Sequence, residues 1–132
     1  MIGQRSTNST VFNENQLTSM ERDLLSKIDA GEVAALLQAL IQAKSDYPPG
    51  DCREAIQIIQ SKLQEVSLSG EIFARNNLQP NLVVSLPSQN TQPRLLYHAH
   101  IDTVPAGDTD RWNFDPFKGE ISHGKVYGRG AG

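Results

Sequence analysis

Residues 95–105 (LLYHAHIDTVP) constrain the fold most, because within a few positions they pass from apolar side chains to side chains that can bind metal. In an extended backbone the side chains alternate between two faces, so His100 and Asp102 would share one face. Val104 precedes Pro105, and a residue before proline disfavours helix, so the chain is expected to leave the strand as a loop. The segment therefore predicts a strand whose carboxyl end opens into a polar loop, a common place for chemistry in α/β proteins.

Three helices are predicted before this segment. Residues 1–16 are rich in Asn, Ser, Thr and Gln, so we expect a disordered tail. Thr18 and Glu21 have the spacing of a capping box, which predicts a short helix. After a break, apolar residues at helical intervals predict a second, amphipathic helix over residues 30–43, and a third helix is expected to begin with Asp51 as its cap.

The periodicity changes from helical to strand-like after Leu68. Strands are predicted over residues 71–74, 82–86 and 94–99, and a hairpin over residues 120–127. The near-continuous apolar runs indicate strands that are covered on both faces. The expected fold class is therefore α/β, with helices and a sheet in layers, and residues 17–132 are expected to form one unit without an internal linker.

Composition narrows the range of functions and partners that are expected for the chain. The chain has 132 residues, a net charge of -3 and a sequence pI near 5.5. No cluster of Lys and Arg stands out, so neither nucleic acid nor an anionic membrane is expected as a partner. Cys52 is the only cysteine, which fits a reducing compartment, and no apolar run reaches the roughly 20 residues of a membrane span. We therefore expect a cytoplasmic protein with a small-molecule or protein partner.

His100 and Asp102 are the sharpest candidates for chemistry. A neutral imidazole is a good zinc ligand, and a ligating histidine usually donates its other ring N–H to a carboxylate. Taken alone, however, an H-x-D motif is more often a polar strand end than a metal site. His98 is interpreted as a packed or hydrogen-bonded residue, and His123 as a turn residue.

Several ordered blocks around this motif change the interpretation. These blocks are residues 48–51, 80–83, 99–105, 112–117, 119–121 and 125–131, and they lie within roughly residues 20–132. Together they resemble the opening part of the dinuclear zinc hydrolases that include acetylornithine deacetylase, succinyl-diaminopimelate desuccinylase, carboxypeptidase G and aminoacylase.

The resemblance assigns a role to each matched residue. It implies that His100 binds one metal, and that Asp102, a residue of the catalytic site, orients the imidazole of His100. It also implies that an Asp bridging two metals follows Gly132. The complete protein is then expected to use two Zn²⁺, with Co²⁺ or Mn²⁺ as substitutes, to hydrolyse amide bonds in N-acyl amino acids or small peptides. A homodimer is expected for the complete enzyme, and this chain, an N-terminal portion of the catalytic domain, is expected to be inactive alone.

Two other functions are kept open. The first is a truncated, non-catalytic homologue that acts as a binding or interaction module. The second is a nucleotide-binding module that uses the glycines Gly128, Gly130 and Gly132, although the rest of a dinucleotide motif does not follow. The aromatic residues Trp112, Phe114 and Phe117 are interpreted as loop anchors in preference to the walls of a substrate pocket.

Overall fold

A computed structural model of the chain describes residues 16–86, residue 89 and residues 95–132. The chain divides into two compact units, Met1–Ala30 and Gly31–Gly132. The predicted disordered tail lies outside the described residues, except for Gln16. Within the described ranges, helices and two small sheets alternate with loops, which confirms the α/β class.

The first unit contains helix α1, Ser19–Ser26. The predicted capping box is confirmed: the Thr18 amide donates to Glu21 Oε2 at 2.7 Å, and the Glu21 amide donates to Thr18 Oγ1 at 3.3 Å. Both bonds satisfy amides that an isolated helix start would leave unpaired. The hydrogen bond from the Thr18 amide also stabilises the ionised carboxylate and lowers the pKa of Glu21.

Helix α2, Ala30–Gln42, begins at the last residue of the first unit, and its other residues belong to the second unit. The second unit also contains all of α3, Arg53–Glu65. The bounds predicted for α2 are confirmed. The predicted cap of α3 is wrong by one residue, because the N-cap is Cys52 and it makes no side-chain capping bond. The Asp51 carboxylate is bound instead by the Arg53 guanidinium at 2.9 and 2.7 Å, and it accepts a bond from the Arg53 amide at 3.2 Å. These bonds lower the pKa of Asp51 to about 2.

Two antiparallel hairpins make up the sheets. Strand β1, Gly70–Phe73, pairs with β2, Asn81–Val84, and β3, Glu120–Ser122, pairs with β4, Lys125–Tyr127. The predicted strands at these positions are confirmed within one or two residues. The second hairpin turns at His123 and Gly124, whose φ values of 50° and 72° match the tight turn that favours glycine.

The predicted strand over residues 94–99 is wrong in the part that is described. Residues 95–100 belong to no strand, and Leu95, Leu96 and Tyr97 are 77–86% exposed. A strand exists only where a neighbour accepts its backbone hydrogen bonds, and residues 95–100 have no such neighbour among the described residues. The expectation of strands covered on both faces is also wrong, since β1 and β2 pair with each other but are mostly exposed.

The small core of the second unit surrounds the connection between α2 and α3. Its buried members include a few aliphatic side chains, one thiol and one hydroxyl: Ile41, Ala43, Ser45, Cys52, Ala55 and Ile56. The connection is therefore packed where it leaves α2 and where it enters α3, and it can hold other segments in place.

Candidate metal site

The segment that carries His100 and Asp102 is held against the α2–α3 connection. The Tyr47 amide donates to the Thr103 carbonyl at 2.9 Å, and the Thr103 amide donates to the Ser45 carbonyl at 3.2 Å. These two bonds form an isolated parallel bridge between Asp46 and Thr103. The chain is thus fixed immediately after Asp102, although residues 95–100 run free of any sheet.

His100 and Asp102 meet directly. His100 Nδ1 lies 2.8 Å from the Asp102 carbonyl oxygen and 3.2 Å from Asp102 Oδ1. Both neighbours are acceptors, so Nδ1 must carry the proton when the imidazole is neutral. This tautomer leaves the lone pair on Nε2, and the imidazole is 82% exposed. His100 is therefore oriented so that its Nε2 atom is available to a metal ion.

The donor set tests whether these residues fit a metal. One imidazole nitrogen is available with its second nitrogen already bonded, which is the arrangement of a metal-ligating histidine and its carboxylate partner. Within the described ranges, no group of three or more His, Cys, Asp and Glu residues is close enough to hold a metal ion. A catalytic zinc site usually has about three protein ligands. The described residues can therefore supply one metal ligand, but they do not form a complete metal site.

Other candidate residues have structural surroundings. Cys52 is buried, and burial raises the pKa of its thiol, with smaller contributions from the charges of Asp102 and Asp51. A thiol that resists ionisation is a poor nucleophile and a poor ligand. In the hairpin turn, His123 Nδ1 lies 2.8 Å from Ser122 Oγ. These positions agree with the interpretation of His123 as a turn residue, and they indicate a structural role for Cys52.

The aromatic loop is anchored by its own side chains. Trp112 donates its indole N–H to the Ala106 carbonyl at 2.9 Å, and the Arg129 guanidinium carbon lies 4.9 Å from the centre of the Trp112 ring. Phe114 stacks on Tyr127 with ring centres 4.3 Å apart. These contacts join the loop to β4 and to the residues after it, and they support the anchoring interpretation.

The terminal glycines allow close packing. A Cβ at Gly128 would lie 2.7 Å from Ile41 Cγ2, and a Cβ at Gly130 would lie 2.7 Å from Thr103 Cγ2. Gly130 also has a φ of 86°, which side chains disfavour. These contacts account for Gly128 and Gly130 without a phosphate, whereas a Cβ at Gly132 would meet nothing within 4 Å. The packing of the first two glycines therefore does not favour the nucleotide-binding alternative.

The sequence around His100 and Asp102 matches the pattern of a known protein family. The sequence pattern of "Peptidase family M20/M25/M40" matches residues 96–132. Residues 96–132 therefore carry the pattern of this family, as the resemblance in the sequence predicted, and they include both His100 and Asp102.

The similar proteins share one name, which is more specific than the name of the family. The chain is 49% identical over 98 residues to a succinyl-diaminopimelate desuccinylase of Ehrlichia canis (strain Jake), covering 72% of this chain and 25% of the relative. It is 38% identical over 105 residues to the enzyme of that name from Wolbachia pipientis subsp. Culex pipiens (strain wPip), covering 80% and 25%. For Ehrlichia chaffeensis (strain ATCC CRL-10679 / Arkansas) the identity is 35% over 98 residues, covering 73% and 25%. The chain thus spans about a quarter of the length of these relatives.

In the part of the chain that the structure describes, no helix is both long enough and apolar enough to cross a bilayer.

Proposed function

We propose that this chain forms the N-terminal part of the catalytic domain of a metal-dependent amide hydrolase, with N-acyl amino acids or small peptides as substrates. The observation that carries the proposal is the contact between His100 and Asp102, which leaves Nε2 of His100 available to a metal. The names of the relatives favour the deacetylase/desuccinylase type and an N-succinyl diamino acid as substrate. The lone, buried Cys52 supports a cytoplasmic location.

The residues of this chain have distinct roles in the proposed reaction. His100 supplies one ligand, and Asp102 holds the imidazole in the required tautomer and orientation. The chemistry that two bound Zn²⁺ ions, or Co²⁺ or Mn²⁺, would supply is polarisation of the amide carbonyl and activation of water. The remaining ligands, the general base and any dimer contacts are proposed to lie in the rest of a full-length protein.

Calorimetric titration of the 132-residue chain with zinc tests the ligand role. We expect weak binding that is not saturated at equimolar zinc, because one ligand is too few for a tight site. His100→Ala should remove this binding, and the matched control His123→Ala should leave it unchanged. Tight stoichiometric binding by the parent chain would contradict the proposal, as would an unaffected His100→Ala variant.

Turnover in a full-length protein tests the hydrolase role. Hydrolysis of a panel of N-succinyl and N-acetyl amino acids should be lost in His100→Ala. It should fall by about 10- to 100-fold in Asp102→Asn, the range typical for the partner of a metal ligand.

Exposure of Leu95, Leu96 and Tyr97 favours the alternative of a non-catalytic binding module. Absence of turnover on the whole panel, in a full-length protein loaded with metal, would support that alternative.

A further inference from the structure

Ser45 is a buried polar residue beside the candidate metal site. It is only 4% exposed, and its hydroxyl donates to the Ile101 carbonyl at 2.5 Å. A buried hydroxyl without a partner would be costly, so this bond determines where the hydroxyl and the carbonyl can lie. Ile101 stands between His100 and Asp102, so the bond fixes the middle of the H-x-D motif.

The backbone of Ser45 fixes the other side of the same motif. Its carbonyl accepts a bond from the Thr103 amide at 3.2 Å, so the single residue Ser45 bonds to the chain before and after Asp102. The peptide carbonyl of Asp102 lies between these two points. Its oxygen is the nearer of the two Asp102 acceptors to His100 Nδ1, at 2.8 Å against 3.2 Å for Oδ1.

We propose that Ser45 is a positioning residue for His100, through its hold on the backbone of Asp102. This inference rests on the proposed function, in which His100 binds metal through Nε2. Ser45 touches neither the imidazole nor the carboxylate. It holds the carbonyl and the carboxylate of Asp102 where both accept from Nδ1–H, and so it keeps the Nε2 lone pair free.

The test reads the tautomer of His100 in the 132-residue chain. Nitrogen NMR of ¹⁵N-histidine-labelled protein distinguishes Nδ1–H from Nε2–H, and the spectra are recorded at about pH 8.5, above the reference pKa of about 6.5 for histidine in model peptides. The three histidines are assigned from single substitutions. We expect His100 of the parent chain to be protonated at Nδ1, and Ser45→Ala to shift it towards the Nε2–H form that predominates in free histidine.

Three controls separate positioning from general loss of structure. Ser61→Ala removes a comparable hydroxyl bond, from Ser61 Oγ to the Gln57 carbonyl at 3.0 Å within α3, and it should leave the His100 signals unchanged. His123 in the hairpin turn is an internal reference, and its signals should not move in Ser45→Ala. Ser45→Thr keeps the hydroxyl and should keep the Nδ1–H form of His100.

Each outcome decides the proposal. A shift of His100 in Ser45→Ala alone, with His123 unmoved, supports it. An unshifted His100 in Ser45→Ala overturns it. If Ser45→Ala unfolds, amide exchange in the parent chain decides: slow exchange at Tyr47 and Thr103 supports the proposal, and unprotected exchange there overturns it. An Nε2–H form in the parent chain itself would instead reject the ligand geometry of the proposed function.

Discussion

Two segments carry most of the family pattern, and they are held in different ways. Among the described residues, the segment 95–103 is fixed towards its end, where Ile101 and Thr103 bond to the α2–α3 connection, and Leu96 and Tyr97 are both 86% exposed. Residues 114–130 are held throughout: β3 pairs with β4, Phe114 stacks on Tyr127, and the Arg129 amide donates to the Pro116 carbonyl at 2.6 Å.

The difference shows what a strand-like sequence requires. Residues 95–99 have the stronger strand pattern, but the described chain offers them no neighbour. Residues 120–127 are shorter and more polar, but each strand finds its partner across a turn of two residues. A hairpin satisfies its own backbone, whereas an apolar central strand depends on partners distant in the sequence.

The largest expected effect lies in the well-held segment. Gly128→Ala places a Cβ 2.7 Å from Ile41 Cγ2 and 3.2 Å from the Pro116 carbonyl oxygen. Ile41 is buried, so the neighbours can move little. We expect a loss of about 2–3 kcal/mol in the free energy of unfolding, the upper part of the range for overpacking, measured by urea denaturation of the 132-residue chain.

Gly124→Ala is the control for this substitution. Gly124 has a φ of 72°, but no atom lies within 4 Å of a Cβ built there. Only backbone strain should then appear, at a cost of about 1 kcal/mol. If Gly128→Ala costs no more than Gly124→Ala, the close packing of residues 114–130 on Ile41 does not stabilise the chain.

The fold could be predicted where the determining interactions are local. Thr18 and Glu21 form their capping box because both partners lie within four residues, and His123 and Gly124 form the tight turn because of their own conformational preferences. Asp51 was misassigned because Arg53, two residues away, competes for its carboxylate. The spacing alone did not show which of these local bonds forms, since caps and ion pairs use the same side chain.

The site could be predicted in part. The spacing of His100 and Asp102 indicated their contact, but it could not show that the Asp102 carbonyl is nearer to Nδ1 than the carboxylate. Ser45 was missed entirely, because its partner Ile101 is 56 residues away in the sequence. A serine before a proline-rich loop has no signature that distinguishes it from an ordinary loop residue.

A smaller effect is expected where the α2–α3 connection enters α3. The pKa of Asp51 is about 2 in the folded chain, because Arg53 stabilises the carboxylate, and about 3.9 in an unfolded chain. A lowered pKa stabilises the fold above the unfolded value, and this contribution is lost as the pH falls through the folded value. Carboxyl NMR should therefore show Asp51 titrating near pH 2, and the stability that depends on it should be lost between about pH 4 and 2.

Arg53→Met is the matched variant for this titration. It keeps a long side chain in the first turn of α3 but removes the guanidinium, so the pKa of Asp51 should move towards 3.9. A parent chain in which Asp51 already titrates near 4 would show that the ion pair does not hold the connection that anchors Thr103.

The smallest effect is expected in the segment that lacks neighbours. Leu96→Ser should change the free energy of unfolding by less than about 0.5 kcal/mol, because an 86% exposed side chain has little contact to lose. Val126→Ser is the control, since Val126 is half-buried in β4 opposite Ile121 and should cost more than Leu96→Ser. Equal costs would remove the contrast between the two segments. A cost above about 1 kcal/mol for Leu96→Ser would show that residues 95–100 are packed in solution, because exposed positions do not reach that value.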